Sequence, residues 1–158
     1  MTPTDLAALL IVEGCLPMIA GAQPRVAPPA GTPLPAGERK AAGFEGPGVT
    51  MRYATGAGDV IADFGATTAT VRLPEGEIAP ALDAIDKAVL NAPGDTQSAE
   101  EANGPAGAKL RTYFVRVNAE RYARVALVIP AAAHGVLEAR VTGLAAVGYA
   151  SGGVAPAA

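Results

Sequence analysis

Residues 110–129 read LRTYFVRVNAERYARVALVI, two apolar runs on either side of a short polar connection. Residues 110–117 and 122–129 are rich in β-branched and aromatic side chains, which favours strands. The four residues between them suit a hairpin connection. Because both runs are apolar on both faces in their distal halves, we expect them to lie centrally in a covered sheet or to bury one face against another chain.

The register of this hairpin decides which side chains share a face. We expect Val117 to pair with Tyr122. In that register Arg116 and Arg124 lie on opposite faces, so the arginines of the hairpin do not converge on one patch. One face then carries Phe114, Val125 and Leu127, and the other carries Tyr113, Val115 and Ala126. Since a single helix covers only one face of a sheet, the second face needs either the N-terminal helix or a partner.

The residues on either side of the hairpin predict further strands and one helix. Residues 49–73 alternate between apolar and polar side chains around turn residues at 56–59, which predicts a three-stranded meander. Residues 78–89 predict an amphipathic helix, because their apolar side chains recur every three or four residues. A further strand is expected at 136–142, where the alternation returns.

This order of elements predicts an α+β fold. It combines an antiparallel sheet, formed by the meander, the hairpin and the extra strand, with one packed amphipathic helix and an N-terminal helix. The alternative is a β-meander sandwich with peripheral helices. We expect one domain at residues 49–142, with a mobile loop at 95–108, because that loop is small, polar and without apolar periodicity.

The remaining segments are predicted to be peripheral. Residues 1–22 predict a helix and turn, with the helix from about 4 to 13 and an extension to Pro17 left open. Residues 23–48 contain six prolines and predict a coil. Residues 143–158 are small and weakly patterned, so we expect a flexible tail.

Composition excludes several classes of site. The chain of 158 residues has one Cys, one His and no Trp. Structural zinc sites, disulfide frameworks and Cys/His metal clusters need more ligands than this, so no metal and no cofactor are expected. The net charge of −3 disfavours nucleic acid as a partner. Residues 1–101 carry −7 and residues 102–158 carry +4, which indicates either two halves that pair with each other or a basic ligand-binding surface.

The N-terminus has no feature that requires a membrane. No Lys or Arg precedes the apolar run that begins at Leu6, and Glu13 interrupts it, which disfavours a cleavable signal. No apolar stretch reaches the roughly 18 residues of a membrane span. We expect a cytoplasmic protein, with a periplasmic or secreted one as the alternative if this segment acts as an atypical signal.

Candidate catalytic residues are few. His134 is the natural general-base candidate, and Glu138 could orient it if residues 134–138 were helical. Cys15 is interpreted as a small buried hydrophobe, and neither serine lies in a nucleophile-elbow motif. The sequence therefore favours a non-catalytic protein, with an acid/base enzyme that uses His134 as one alternative.

The function expected from these patterns is protein interaction or assembly. An apolar sheet face and the N-terminal helix would engage a protein partner or a second copy of the chain. The candidate partner-binding residues are Tyr113, Phe114, Val115, Val125 and Leu127. A second alternative is an anion or nucleic-acid binder that uses Arg111, Arg116, Arg121 and Arg124 of the hairpin.

Overall fold

The computed structural model describes residues 1–21, 31–65, 67–93 and 96–145. These residues form an α+β fold, as the sequence predicts. The strands are β1 Thr32–Pro33, β2 Val49–Thr55, β3 Gly58–Phe64, β4 Thr68–Arg72, β5 Gly76–Glu77, β6 Thr96–Asn103, β7 Lys109–Arg116, β8 Arg121–Ile129, β9 His134–Gly135 and β10 Glu138–Ala145. The helices are α1 Pro3–Leu9, α2 Leu16–Ile19, α3 Ala36–Ala41 and α4 Ile78–Leu90, with a π-helical segment at Leu10–Cys15 and a 3₁₀ turn at Pro105–Gly107.

Eight of the strands form one antiparallel sheet. Their spatial order is β1-β2-β3-β4-β10-β8-β7-β6, while β5 and β9 pair separately. The predicted meander is present as β2, β3 and β4. β10 lies between β4 and β8 and pairs with both, so the last described strand of the chain joins the meander to the hairpin.

The N-terminal helical segment runs from Pro3 to Ile19. The Thr2 hydroxyl caps its start by accepting a hydrogen bond from the Asp5 backbone N–H at 3.1 Å, and Pro3 occupies the first turn, where it removes no helical hydrogen bond. Pro17 has no N–H to offer and its ring would crowd the carbonyl of Glu13 in a regular α-helix. The wider π-helical turn directly before it accommodates this proline, and the chain stays helical across both junctions.

One face of the sheet is covered by helices. The N-terminal segment packs against β3, β4, β8 and β10, and it lies beside α4, which contacts β6. Alternate residues of the strands meet these helices in one apolar core, among them Val60, Val71, Tyr113, Val125, Leu127 and Val141, each fully buried. We call this side of the sheet the covered face. The contacts place both helices on the same face, so the fold has two main layers.

Two segments that the sequence predicts to lack regular structure contain strands or a helix. Within the predicted coil at 23–48, residues 31–48 hold β1 and α3, while residues 22–30 lie outside the described part. The predicted loop at 95–108 contains β6, which pairs with β7 through a bulge between Ser98 and Glu101. β6 lies at the edge of the sheet, where a polar strand is stabilised by backbone pairing with one neighbour and needs little apolar side-chain burial.

The ends of two further elements also differ from the prediction. The last strand begins at Glu138, two residues later than expected, and continues to Ala145, so the start of the predicted tail belongs to β10. Residues 146–158 lie outside the described part. The N-terminal helix extends past Glu13 because the π-helical turn allows it to continue through Pro17.

The predicted hairpin register is wrong by one residue. Arg116, rather than Val117, pairs with Tyr122. Val117 therefore belongs to the hairpin connection, which is one residue longer than predicted. Two hydrogen bonds close this turn: the Val117 N–H donates to the Arg121 carbonyl at 3.1 Å, and the Asn118 side chain accepts from the Glu120 N–H at 2.9 Å. Because side chains alternate between the two faces of a strand, a shift of β7 by one residue relative to β8 moves every β7 side chain to the opposite face from the one predicted. Phe114 therefore does not lie on the face that holds Val125 and Leu127.

Cys15 lies at the end of the π-helical turn and is fully buried. Burial raises the pKa of its thiol to about 12, because the charged thiolate loses its hydration in the core. The thiol is therefore unreactive while the N-terminal segment stays on the sheet.

We predict that Leu10→Ala destabilises the protein by about 2–5 kcal/mol, since Leu10 belongs to the N-terminal helical segment and is 2% exposed in the core between that segment and the sheet. Leu90→Ala is the matched control, because the same side chain at the end of α4 is 43% exposed, and it should cost about 1 kcal/mol or less. Urea unfolding followed by circular dichroism measures both free energies. Equal losses for the two variants would contradict the packing of the N-terminal segment described here.

A second prediction concerns alkaline pH. The unfolded chain releases the Cys15 proton near the ordinary thiol pKa of 9.0, whereas the folded chain holds it up to about 12. The free energy of unfolding should therefore fall as pH rises through this window, and the fall should be smaller in Cys15→Ala. Thiol-reagent labelling should occur only in denaturant for the native chain. Rapid labelling in native buffer would show that the N-terminal segment opens readily.

Candidate functional site

The structure places most of the predicted partner-binding residues in the core of the chain. Tyr113, Val115, Val125 and Leu127 lie on the covered face and have no exposed surface. Phe114 lies on the opposite face and is 7% exposed. The chain's own helices thus cover the apolar face of the hairpin, and the N-terminal helix that was expected to meet a partner is part of that cover.

A polar network joins the hairpin to α4. The Tyr113 hydroxyl donates a hydrogen bond to Asp86, and the Arg111 guanidinium lies 3.5 Å from the same carboxylate. Arg111 also binds Glu101 of β6 at 2.6 Å. Burial and the Asp86 carboxylate raise the pKa of Tyr113, while hydrogen bonding to Arg111 lowers the pKa of Glu101. Arg111 therefore connects the hairpin to α4 and to β6 through carboxylates of the same chain.

The corrected register brings two other hairpin arginines together. Arg116 and Arg124 lie on the face opposite the helices, and Arg140 of β10 joins them there. Arg121, at the end of the hairpin, alternates onto the covered side and is exposed. We call this surface of β7, β8 and β10 the open face. Its members are Leu110, Thr112, Phe114, Arg116, Tyr122, Arg124, Ala126, Val128, Glu138, Arg140, Thr142 and Leu144.

The guanidinium groups of the open face have different surroundings. The Arg116 guanidinium carbon lies 5.9 Å from the centre of the Tyr122 ring, a cation–π distance. Arg140 donates to Glu138 at 2.8 Å and its side chain is 57% exposed. Arg124 is half-buried across from Phe114 and forms no ion pair with a carboxylate of the described residues. Sequence reasoning missed Arg140 as a site residue, since only the strand order places β10 beside the hairpin.

The same side of the sheet is closed at β2, β3 and β4. Arg39 of α3 donates to Thr50 at 2.9 Å and to Asp63 at 3.1 Å, which holds α3 over these strands. Arg72 donates to the Ala42 carbonyl at 2.8 Å and stacks 4.6 Å from the Phe44 ring. α3 thus closes this side of the sheet at one end, whereas no described helix packs on it at β7, β8 or β10.

His134 lies elsewhere and lacks the predicted orienting partner. It is exposed in β9, where its backbone pairs with Glu77 of β5. Both Glu138 carboxylate oxygens bind arginines, Arg72 at 2.8 Å and Arg140 at 2.8 Å. The strand geometry of β10 therefore keeps Glu138 from serving as the orienting carboxylate for His134.

A cleft of about 370 Å³ lies near β5, where the starts of α1 and α4 meet. Its floor is apolar and includes Leu73, Ile78 and Leu137, while the exposed Glu75 and Glu77 stand at its rim. His134 is not among the residues that line it. Nothing in this arrangement couples a nucleophile to a base.

No three His, Cys, Asp or Glu side chains in the described ranges are placed to hold a metal ion. None of the described helices has the length and apolar content needed to cross a membrane. No family model, no curated protein and no solved structure matches this chain.

We predict that His134→Ala changes the free energy of unfolding by less than about 0.5 kcal/mol, because the side chain is exposed on a two-residue strand. Tyr113→Phe is the comparison variant, since it removes a hydrogen bond to Asp86 inside the fold and should cost about 1 kcal/mol. Chemical unfolding measures both. A loss of about 2 kcal/mol or more for His134→Ala would assign this residue a structural partner that its exposure does not suggest.

Proposed function

We propose that the chain is a non-catalytic binding module that acts through the open face of its sheet. The observation that carries this proposal is the grouping of Arg116, Arg124 and Arg140 on three adjacent strands, on a surface that no described helix covers. The proposal keeps the interaction function expected from the sequence and moves it to the opposite side of the sheet.

The composition of the open face supports binding. Phe114 and Leu144 form a buried apolar base beneath the arginines, and Tyr122 provides an aromatic ring beside Arg116. Arginine and tyrosine are the side chains most often responsible for strong contacts in protein interfaces. Lysine, which interfaces tend to exclude, does not occur among the open-face residues.

The polar groups of the described residues favour a binding function over a reaction. The hydroxyl of the fully buried Tyr113 donates a hydrogen bond to Asp86, and Cys15 is fully buried in the core. Arg39, Arg72 and Arg111 bind carboxylates of the same chain. Arg116 and Arg124 differ from these three, because their guanidinium groups have a cation's affinity for anions and form no ion pair with a carboxylate of the described residues.

Site-specific cross-linking tests this proposal. A photo-reactive amino acid is placed at Ala126, which is half-buried in the middle of the open face, and in a separate variant at Ala131, which is exposed in the loop after β8. We predict that irradiation in cells gives a discrete adduct at position 126 and none at 131. The adduct should decrease by about tenfold when Arg116→Gln and Arg124→Gln are added, which corresponds to losing roughly 1.4 kcal/mol of binding.

The matched control carries Arg52→Gln and Arg121→Gln. These arginines are exposed and lie at the far end of the sheet and at the hairpin turn. The adduct at 126 should then stay within about twofold of its original yield. Equal adducts at 126 and 131, or loss of the adduct in both arginine pairs, would refute a specific role for the open face.

A further inference from the structure

We infer that the open face binds an extended acidic segment of another polypeptide, whose alternate carboxylates pair with Arg140, Arg124 and Arg116. This inference rests on the proposed function and names the chemistry of its partner. It follows from the spacing of the three arginines, from the charge that surrounds them and from the contact between Arg116 and Tyr122.

The three arginines form a straight diagonal across the sheet. Arg140 pairs across β10 and β8 with Ala126, and Arg124 lies two residues further along β8. Arg116 pairs across β8 and β7 with Tyr122, which is again two residues beyond Arg124. Each step thus crosses one strand and advances two residues, a diagonal separation of about 7–8 Å.

An extended peptide presents side chains at a matching interval. Residues i, i+2 and i+4 of a strand share one side and lie about 6.6–6.8 Å apart. The flexible arginine side chains can accommodate the small difference from the diagonal spacing. Glutamate or aspartate at three alternate positions would therefore meet all three guanidinium groups, each of which can bind a carboxylate with two parallel hydrogen bonds.

Local charge favours an anionic partner. The single carboxylate that β7, β8 and β10 present on this side in the described part is Glu138, and its oxygens are already bound by Arg72 and Arg140. Arg116 and Arg124 therefore add positive charge that these strands do not neutralise. An acidic segment would supply the missing carboxylates and be oriented by them.

Two observations favour a polypeptide over a nucleic acid. Residues 1–101 carry a net charge of −7. A long polyanion that extended beyond the open face would be repelled by this charge, whereas a short acidic segment would contact only the arginines. Single-stranded nucleic acids bind sheet faces by stacking bases on aromatic rings. Here Arg116 lies over the Tyr122 ring and Phe114 is almost fully buried, so little ring surface is offered for stacking.

Fluorescence anisotropy with defined peptides tests the inference on the full chain at low ionic strength. Three peptides of about ten residues, long enough to cross three strands, share one length. One has Glu at three alternate positions, one has three consecutive Glu, and one has Gln at the alternate positions. We expect the alternating Glu peptide to bind about tenfold more tightly than the consecutive one, and the Gln peptide not to bind. A single-stranded oligonucleotide of similar length forms the fourth arm.

Arginine variants connect binding to the open face. Arg116→Gln with Arg124→Gln should weaken binding of the alternating peptide by about tenfold or more, and Arg52→Gln with Arg121→Gln by about twofold or less. Unchanged thermal unfolding of each variant confirms that it is folded. Added salt should weaken the native complex, since the contacts are between charges at the surface.

Three results would overturn the inference. These are no binding of either acidic peptide, equal affinity for the alternating and consecutive peptides, and tighter binding of the oligonucleotide. If the cross-link at position 126 persists alongside any of these results, the open face still binds a partner and only its acidic character is refuted. Loss of both the cross-link and the peptide binding refutes the proposed function itself.

Discussion

The burial of one sheet face under the N-terminal helical segment and α4 is the interaction on which the rest of the structure depends. It removes from water the alternate apolar residues of β3, β4, β7, β8 and β10, which form the sheet side of the core, together with the apolar residues of the helices that face them. Burial of this kind is the main favourable contribution to folding. It also fixes the register of each strand, because a shift by one residue would place arginines in the core and valines in solvent.

The uneven charge distribution of the chain has two structural explanations, one for each group of arginines. Arg111 and Arg72 connect distant parts of the chain, since they bind Asp86 and Glu101 in one case and Glu138 in the other. Arg111 of the positive C-terminal part thus neutralises acidic residues of the first 101, whereas Arg72 and Glu138 pair a basic residue of the negative part with an acidic residue of the positive part. Arg116 and Arg124 take no part in such pairs among the described residues, and the basic excess of the C-terminal part is concentrated there.

The sequence predicts which segments form helices and strands better than it predicts which of them lie side by side in the fold. Periodicity is sufficient for α4 and the meander, because burial on one side leaves a regular apolar pattern. It fails for β6, whose polar residues are held by backbone hydrogen bonds to β7, and for α3, which is held mainly through Arg39. The site was harder to predict, since it depends on one extra residue in the hairpin connection and on the position of β10, neither of which leaves a local signal.

The central position of β10 has a consequence for synthesis on the ribosome. β4 and β8 are its two neighbours in the sheet, and both are translated before it. Until β10 leaves the exit tunnel, the meander and the hairpin each present an unpaired inner edge, which is prone to pair with other chains. The eight-stranded sheet can therefore be completed only after β10 has left the tunnel, and both edges stay open to pairing with other chains until then.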